Sequence, residues 1–140
     1  MNTVNFDDEK FINTEIYNNF KKANPGKGYL SVRAYAARQA IPISGVKVIV
    51  SKQLGNTKVI FFEGLTDNSG VINQIALPAP ESNIDDLVVP KVSIYDVEAL
   101  YDKSNIDLLF KVNMYANVQV IQNINIVPEM RLFGGTIYGN

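Results

Sequence analysis

The chain has 140 residues, of which 46% are hydrophobic, which is typical of one folded domain with a packed core. Its 13 basic and 14 acidic residues nearly cancel, and this balance argues against nucleic acid as a partner. The sequence contains no Cys and no His, so a disulfide, a thiolate metal site and a Ser-His-Asp triad are all excluded. We therefore expect no catalytic residue, no metal and no cofactor, and we predict that the chain is not an enzyme.

The first residues, Met1 to Glu9, contain neither a basic region nor an apolar run, so they do not predict a secretory signal. No stretch reaches the roughly 18 apolar residues that a membrane-spanning helix needs. We therefore expect no membrane partner, and a location in the cytoplasm or inside a spore or particle that incorporates the chain.

Residues 1–27 are predicted to form an N-terminal helical segment. Its helix runs from about Asp7 to Ala23, with acidic residues at its start and lysines at its end, as the helix dipole favours. The apolar residues of this helix recur every fourth position and form one stripe, which we expect to pack on the rest of the domain: Ile12, Ile16 and Phe20.

Residues 28–127 show hydrophobic residues in alternation, interrupted by turns rich in Pro, Gly, Asn and Asp. The predicted strands cover residues 29–36, 46–51, 58–63, 71–77, 92–101, 108–114 and 118–126. Short strands at hairpin spacing, without intervening helices, predict an all-β sandwich. Residues 128–140 contain three glycines and predict an irregular C-terminal tail.

The turns carry a family resemblance. The segments concerned are Gly28–Val32, Ile43–Val48, Thr66–Val71, Leu77–Pro78 and Tyr95–Val97. Together they resemble the carboxypeptidase-regulatory-like domains, which have a seven-stranded transthyretin-like (prealbumin-like) Greek-key sandwich. The resemblance therefore implies this fold, preceded here by one N-terminal α-helix.

A narrower resemblance concerns the loop that begins Leu77-Pro78-Ala79-Pro80. It is similar to the N-terminal domain of clostridial spore-cortex-lytic enzymes, although the lytic domain is missing here. Domains of the wider family act mostly as structural, chaperone-like or adhesive modules. The hydroxyisourate hydrolases share the fold but need histidines and a C-terminal Tyr-Arg-Gly-Ser, whereas this chain ends Tyr138-Gly139-Asn140. That activity is therefore not expected.

Two strips of side chains are candidate interaction surfaces. The first lies on the outer face of the first predicted strand: Tyr29, Arg33 and Tyr35. The second is the run Val59–Phe62, which makes the third strand apolar on both faces and includes the candidate contacts Ile60 and Phe62. We expect the N-terminal helix to cover the first strip, which leaves the second for another protein or for a second copy of this chain.

Two groups of polar residues could have a chemical role but also have a simpler structural explanation. Asp67 to Ser69 together with Asp85 and Asp86 offer oxygen ligands for Ca²⁺, but a capped turn and a solvated loop explain them better. Asp96 and Glu98 lie two apart, and we expect both to face solvent rather than to form a catalytic pair.

The last predicted strand carries a polar ladder that suits sugars as well as water: Gln119, Asn123 and Asn125. The sequence thus favours a non-catalytic structural or protein-interaction module, in a setting such as a spore, cell envelope or phage-like assembly of a Gram-positive bacterium. The alternative is a carbohydrate- or peptidoglycan-binding module that assists a lytic enzyme and contacts cell-wall glycan.

Overall fold

The computed structural model describes residues 2–37, 40–81 and 91–126. Within these ranges the chain forms two helices, α1 (Glu9–Ile12) and α2 (Glu15–Ala23). The strands are β1 (Asn2–Asn5), β2 (Gly26–Ala36), β3 (Ile41–Pro42), β4 (Lys47–Leu54), β5 (Thr57–Leu65), β6 (Val71–Ala79), β7 (Ser93–Tyr101), β8 (Ile106–Met114) and β9 (Gln119–Asn125).

The prediction of a mostly β chain is confirmed. The seven predicted strands correspond to β2 and to β4 through β9, while the two short strands β1 and β3 were not predicted. The single predicted helix is two helices in the structure. The predicted C-terminal tail, residues 128–140, lies outside the described residues, and among those that are described no helix is long and apolar enough to span a membrane.

The strands form two sheets. The larger sheet has the order β1-β5-β4-β7-β8, in which only the β1–β5 pair is parallel. In the smaller sheet β2 pairs antiparallel with β6 and β3 and parallel with β9. Strand β2 is therefore the strand through which the whole smaller sheet is held together.

The core lies between the two sheets. Alternate residues of β2 point inward, and Leu30 and Val32 have no exposed surface. Alternate residues of β4 and β7 meet them from the larger sheet, where Val48, Val50 and Val97 are equally buried. The period of two in the sequence thus corresponds to one buried face on each strand.

Tyr95 links the two sheets by a hydrogen bond. Its side chain projects from β7 into the core with no exposed surface, and its hydroxyl donates to the carbonyl oxygen of Pro78 in β6. A buried hydroxyl costs free energy unless it finds such an acceptor. Burial also raises the pKa of Tyr95 well above the usual tyrosine value, so the hydroxyl keeps its proton.

The predicted N-terminal helix is interrupted at Asn13 and Thr14. The carboxylate of Asp8 caps α1 by accepting from the backbone N–H of Lys10 at 2.8 Å. The Thr14 hydroxyl caps α2 by accepting from the backbone N–H of Tyr17 at 3.2 Å. Because Thr is a better cap than an interior helix residue, the chain starts a new helix here.

This interruption changes which side chains are buried. Phe20 is buried as predicted, with 6% of its surface exposed. The prediction is wrong for Ile12 and Ile16, which are 36% and 41% exposed, because the new start rotates α2 relative to α1. Phe11 is buried in their place.

The helices pack on the larger sheet through aromatic rings. Phe6, between β1 and α1, stacks on Phe61 of β5 with ring centroids 4.5 Å apart. Phe20 contacts both of these rings, at centroid distances of 5.7 Å and 5.6 Å. The rings of Phe61 and Tyr95 are in turn nearly perpendicular, with their centroids 5.0 Å apart. The N-terminal segment is thereby joined to the sandwich core.

We expect Phe20→Ala to lower the free energy of unfolding by about 3 kcal/mol, because it removes a buried ring from this aromatic contact. Ile16→Ala is the matched control, since it removes an exposed side chain of the same helix and should cost less than about 1 kcal/mol. Urea denaturation followed by circular dichroism measures both. Equal losses for the two variants would show that α2 does not pack as described.

The turn between β5 and β6 is built around Asp67. Its carboxylate accepts from the backbone N–H of Ser69 at 2.9 Å and of Val71 at 3.0 Å. Gly70 closes the turn at a φ of 75°, in the left-handed region that glycine adopts without strain. A Cβ at Gly70 would lie 2.4 Å from the carbonyl oxygen of Ala34, so the glycine also permits a close approach to β2.

Gly70→Ala should therefore destabilise the domain more than Gly45→Ala. Both glycines have a positive φ, 75° and 81°, so both substitutions carry a backbone cost of about 1 kcal/mol. Nothing lies within 4 Å of a Cβ at Gly45, whereas a Cβ at Gly70 meets backbone atoms. Thermal unfolding of the two variants measures the difference, and an equal loss in melting temperature would contradict the close approach.

Candidate functional site

The outer face of the smaller sheet carries the first predicted strip. Parallel pairing of β2 with β9 places Tyr29 beside Gln119, Arg33 beside Asn123 and Tyr35 beside Asn125. We call this set of side chains the outer sheet face: Tyr29, Ser31, Arg33 and Tyr35 with Gln119, Ile121, Asn123 and Asn125. The structure thus brings the predicted aromatic strip and the predicted polar ladder together, which the sequence alone did not.

The helices do not cover this face, contrary to expectation. Tyr29 is 37% and Ile121 47% exposed, Arg33 and Asn123 are exposed, and Tyr35 is half-buried. The reason is that the buried rings of the helices pack on β5, in the other sheet. Within the part of the chain that the structure describes, the outer sheet face is open to solvent.

A β-bulge fixes the centre of this face. The pairing of β2 with β6 shifts register between Leu30 and Val32, and Gln74 takes a φ of 52° there. The Ser31 hydroxyl, buried at this point, accepts from the backbone N–H of Gln74 at 3.3 Å and lies 3.4 Å from the side-chain nitrogen of Gln119. Ser31 therefore connects three strands beneath the exposed side chains.

One end of the outer sheet face is concave. A cleft of about 350 Å³ lies there, and its polar lining comes from Arg33, Tyr35, Ser69 and Asn123. A guanidinium, a phenol, a hydroxyl and an amide provide donors and acceptors around an aromatic ring. This combination suits a hydroxyl-rich or acidic group of a ligand or partner.

The second predicted strip is largely covered. Strand β1 pairs along β5, and the backbone N–H of Phe6 donates to the carbonyl oxygen of Ile60 at 2.8 Å. Ile60 and Phe62 are both half-buried, and Phe62 packs against the core. Their apolar character is therefore explained by burial within this chain, and the edge expected to pair with a second copy is occupied by β1.

Asp96 and Glu98, on β7 of the larger sheet, are engaged in ion pairs. Asp96 contacts Lys111, and Glu98 accepts from Lys58 at 3.1 Å. Each carboxylate therefore has a cationic partner of its own, as expected for side chains on a solvated sheet face. A joint catalytic role for Asp96 and Glu98 has no geometric support.

Of the residues that could bind Ca²⁺, Asp67 to Ser69 are described by the structure, and they form a capped turn. Asp67 caps the turn that it begins, while Asp85 and Asp86 lie outside the described residues. Among residues 2–37, 40–81 and 91–126, no three His, Cys, Asp or Glu side chains are grouped to hold a metal ion.

Lys52 is a feature that the sequence analysis missed. Its ammonium donates to the carbonyl oxygen of Ile94 at 2.7 Å and lies 5.3 Å from the ring centroid of Tyr95. Burial lowers the pKa of Lys52, against the opposing effect of nearby Asp96. The sequence carries no signal for this burial. It follows from the strand register, which pairs Lys52 with the buried Val59 of β5.

No family model matches the sequence, and no curated protein matches it either. Solved structures do resemble it. A Klebsiella pneumoniae 5-hydroxyisourate hydrolase is 15% identical, with a TM-score of 0.47, 70% of this chain covered and 90% of that protein. Sparus aurata transthyretin is 15% identical, with a TM-score of 0.42 and coverages of 69% and 90%. An (S)-allantoin synthase is 6% identical, with a TM-score of 0.48, and the chain covers 42% of it from 74% of its own length.

Two of these neighbours, the hydrolase and transthyretin, are transthyretin-like fold proteins. One prediction is corrected: the statement that the chain is not an enzyme is wrong as an inference from composition, and the neighbours include a hydrolase and a synthase. The lack of His and Cys excludes only chemistry that needs an imidazole or a thiol, and carboxylate, lysine and tyrosine side chains remain.

Lys52 and Lys47, both on β4, should titrate on opposite sides of the usual lysine value of 10.5. Glu63, 2.9 Å from Lys47, raises the pKa of Lys47, so its stabilising effect is present below 10.5 and is lost as pH rises through the raised value. Burial lowers the pKa of Lys52, so its cost is present at lower pH and is relieved as pH rises through the lowered value.

A pH titration of the lysine ¹³Cε resonances by NMR measures both values. The Glu63→Gln variant is the control, because it should return Lys47 towards 10.5 and leave Lys52 unchanged. A Lys52 titration at or above that of Lys47 would contradict the burial of its ammonium.

Proposed function

We propose that the chain is a structural or protein-interaction module that binds a partner protein through the outer sheet face. The observation that supports this is the exposed row Tyr29, Arg33 and Ile121 on a rigid sheet. Tyr and Arg are enriched where protein interfaces gain most of their binding energy. Because the strands fix these side chains, little conformational entropy is lost when a partner covers them.

The partner in this proposal is a protein of the same assembly, a second copy of the chain included. The resemblance to the N-terminal domain of clostridial spore-cortex-lytic enzymes supports a spore or cell-envelope setting in a Gram-positive bacterium, and a phage-like particle offers the same kind of repeated surface. The weakly charged face suits such contacts, since the β2 and β9 side chains on it include two exposed cations, Lys27 and Arg33, and no carboxylate.

A second candidate is a carbohydrate- or peptidoglycan-binding module. The cleft lined by Arg33, Tyr35, Ser69 and Asn123 favours it, because amide and hydroxyl groups beside an aromatic ring match the hydroxyls and apolar face of a sugar. In this alternative the same face contacts cell-wall glycan in place of a protein.

Site-specific photo-crosslinking in the cells that produce the chain tests the proposal. A photoreactive residue at Ala76, exposed opposite Tyr29, should yield a discrete protein adduct, identified by mass spectrometry. The same residue at Leu109, 61% exposed on the larger sheet, is the matched control and should yield none. Arg33→Ala should reduce the Ala76 adduct at least several-fold, because it removes a central contact.

Adducts of equal yield at both positions, or at neither, would refute binding through this face. If the adduct is a second copy, sedimentation velocity should show a dimer that Arg33→Glu dissociates. Cosedimentation with purified peptidoglycan decides the alternative: binding that Asn123→Ala and Tyr35→Ala abolish would favour the glycan, and its absence would exclude it.

A further inference from the structure

A second concave site lies at the end of the sandwich where α2 stops. It is a cavity of about 530 Å³. We call it the Lys52 cavity, and its lining is Ala23, Asn24, Lys52, Pro80, Lys91, Val92 and Ser93. None of these residues belongs to the outer sheet face, so an inference drawn here is independent of the function proposed above.

Among residues 2–37, 40–81 and 91–126, no carboxylate is bonded directly to Lys52. Its two described partners, the carbonyl oxygen of Ile94 and the ring of Tyr95, are both neutral. Asp96 is near enough to influence Lys52, but its carboxylate is bonded to Lys111. A half-buried ammonium with neutral partners retains a strong tendency to bind an anion.

Hydrogen-bond capacity at Lys52 points the same way. An ammonium has three N–H donors, and among the described residues Lys52 uses one of them, at 2.7 Å to the carbonyl oxygen of Ile94. One N–H of the Asn24 amide is bonded to the carbonyl oxygen of Phe20. Lys91 has contacts of its own, so the inference rests on Lys52. Lys52 therefore has donors to offer a ligand.

Part of the cavity lining beside Lys52 is apolar. It consists of Ala23, Pro80 and Val92, of which Val92 is 38% exposed. Ile94, which is not part of the lining but whose carbonyl accepts from Lys52, is 46% exposed. A ligand that joins one negative group to a short apolar body would satisfy both the ammonium and these walls.

We propose that the Lys52 cavity binds a small aliphatic monocarboxylate. The ammonium of Lys52 donates to the carboxylate, and the aliphatic part lies against Val92 and Pro80. A phosphate or sulfate lacks the apolar body and would leave these walls in water, so the geometry favours a carboxylate of this kind over an inorganic anion.

An NMR titration of the full chain with hexanoate tests the proposal, with hexanamide as the neutral probe of the same shape. Hexanoate should produce saturable shifts of the Lys52 ¹³Cε and the Val92 methyl resonances. Hexanamide should bind about tenfold more weakly or worse, because it cannot form the charge-assisted hydrogen bond. Equal binding of the two probes, or no shift with hexanoate, would overturn the proposal.

Variants locate the site. Lys52→Met should weaken hexanoate binding by about tenfold or more, while Lys58→Met, which removes a lysine of the neighbouring strand, should leave it unchanged. Hexanoate binding that persists in a folded Lys52→Met protein would place the ligand elsewhere and refute the assignment. If that variant does not fold, the comparison of hexanoate with hexanamide on the unaltered chain still decides.

Discussion

The structure depends on the buried ring of Tyr95. This side chain comes from the larger sheet, has no exposed surface and bonds to the backbone of the smaller sheet at Pro78. Its ring packs nearly perpendicular to that of Phe61 and lies under the ammonium of Lys52. One residue thus sets the spacing of the sheets, supports the attachment of the N-terminal segment and forms the floor beneath a half-buried cation.

The attachment of the N-terminal segment follows from a register shift next to Tyr95. Pairing of β4 with β5 slips between Val50 and Ser51, so Phe61 has no partner opposite it in β4. The extra residue leaves the Phe61 ring available to Phe6 and Phe20. Bulges commonly redirect a side chain in this way. Without it the helices would lack an aromatic surface to pack against, because short helices are marginal on their own.

This arrangement explains why the two sheets differ in the surface they expose. The larger sheet uses strand β5 to hold β1, and it carries lysine–carboxylate pairs such as Lys47 with Glu63. The smaller sheet receives neither helix nor ion pairs on its described residues, so Tyr29 and Arg33 stay in solvent. The proposed interaction surface is therefore the face that packing among the described residues leaves open.

Much of the sandwich was predictable from the sequence, because a strand with one buried face has a period of two. Residues 28–127 therefore gave the seven longer strands, and Asp67 and Gly70 gave their turn. Strands β1 and β3 were not predictable, since Asn2–Asn5 and Ile41–Pro42 are too short for a period, and β1 also depends on β5, a partner far along the chain.

The helix boundary and the candidate sites show what sequence periodicity misses. The spacing of Ile12 and Ile16 matched one helix, but the cap at Thr14 had the larger local effect and divided it. The strip at Tyr29 was recognised, whereas its union with the β9 ladder required the parallel pairing of two distant strands.

Lys52 illustrates how a fold creates chemistry from an ordinary residue. In the sequence it is one charged residue within an alternating strand, and its neighbours do not distinguish it from Lys47. Pairing across from Val59 places it at the core margin, where burial disfavours the very charge that the ring of Tyr95 and the carbonyl of Ile94 stabilise. The carboxylate proposed as its ligand would act on this balance, because an opposite charge beside a half-buried ammonium offsets part of the cost of burying it.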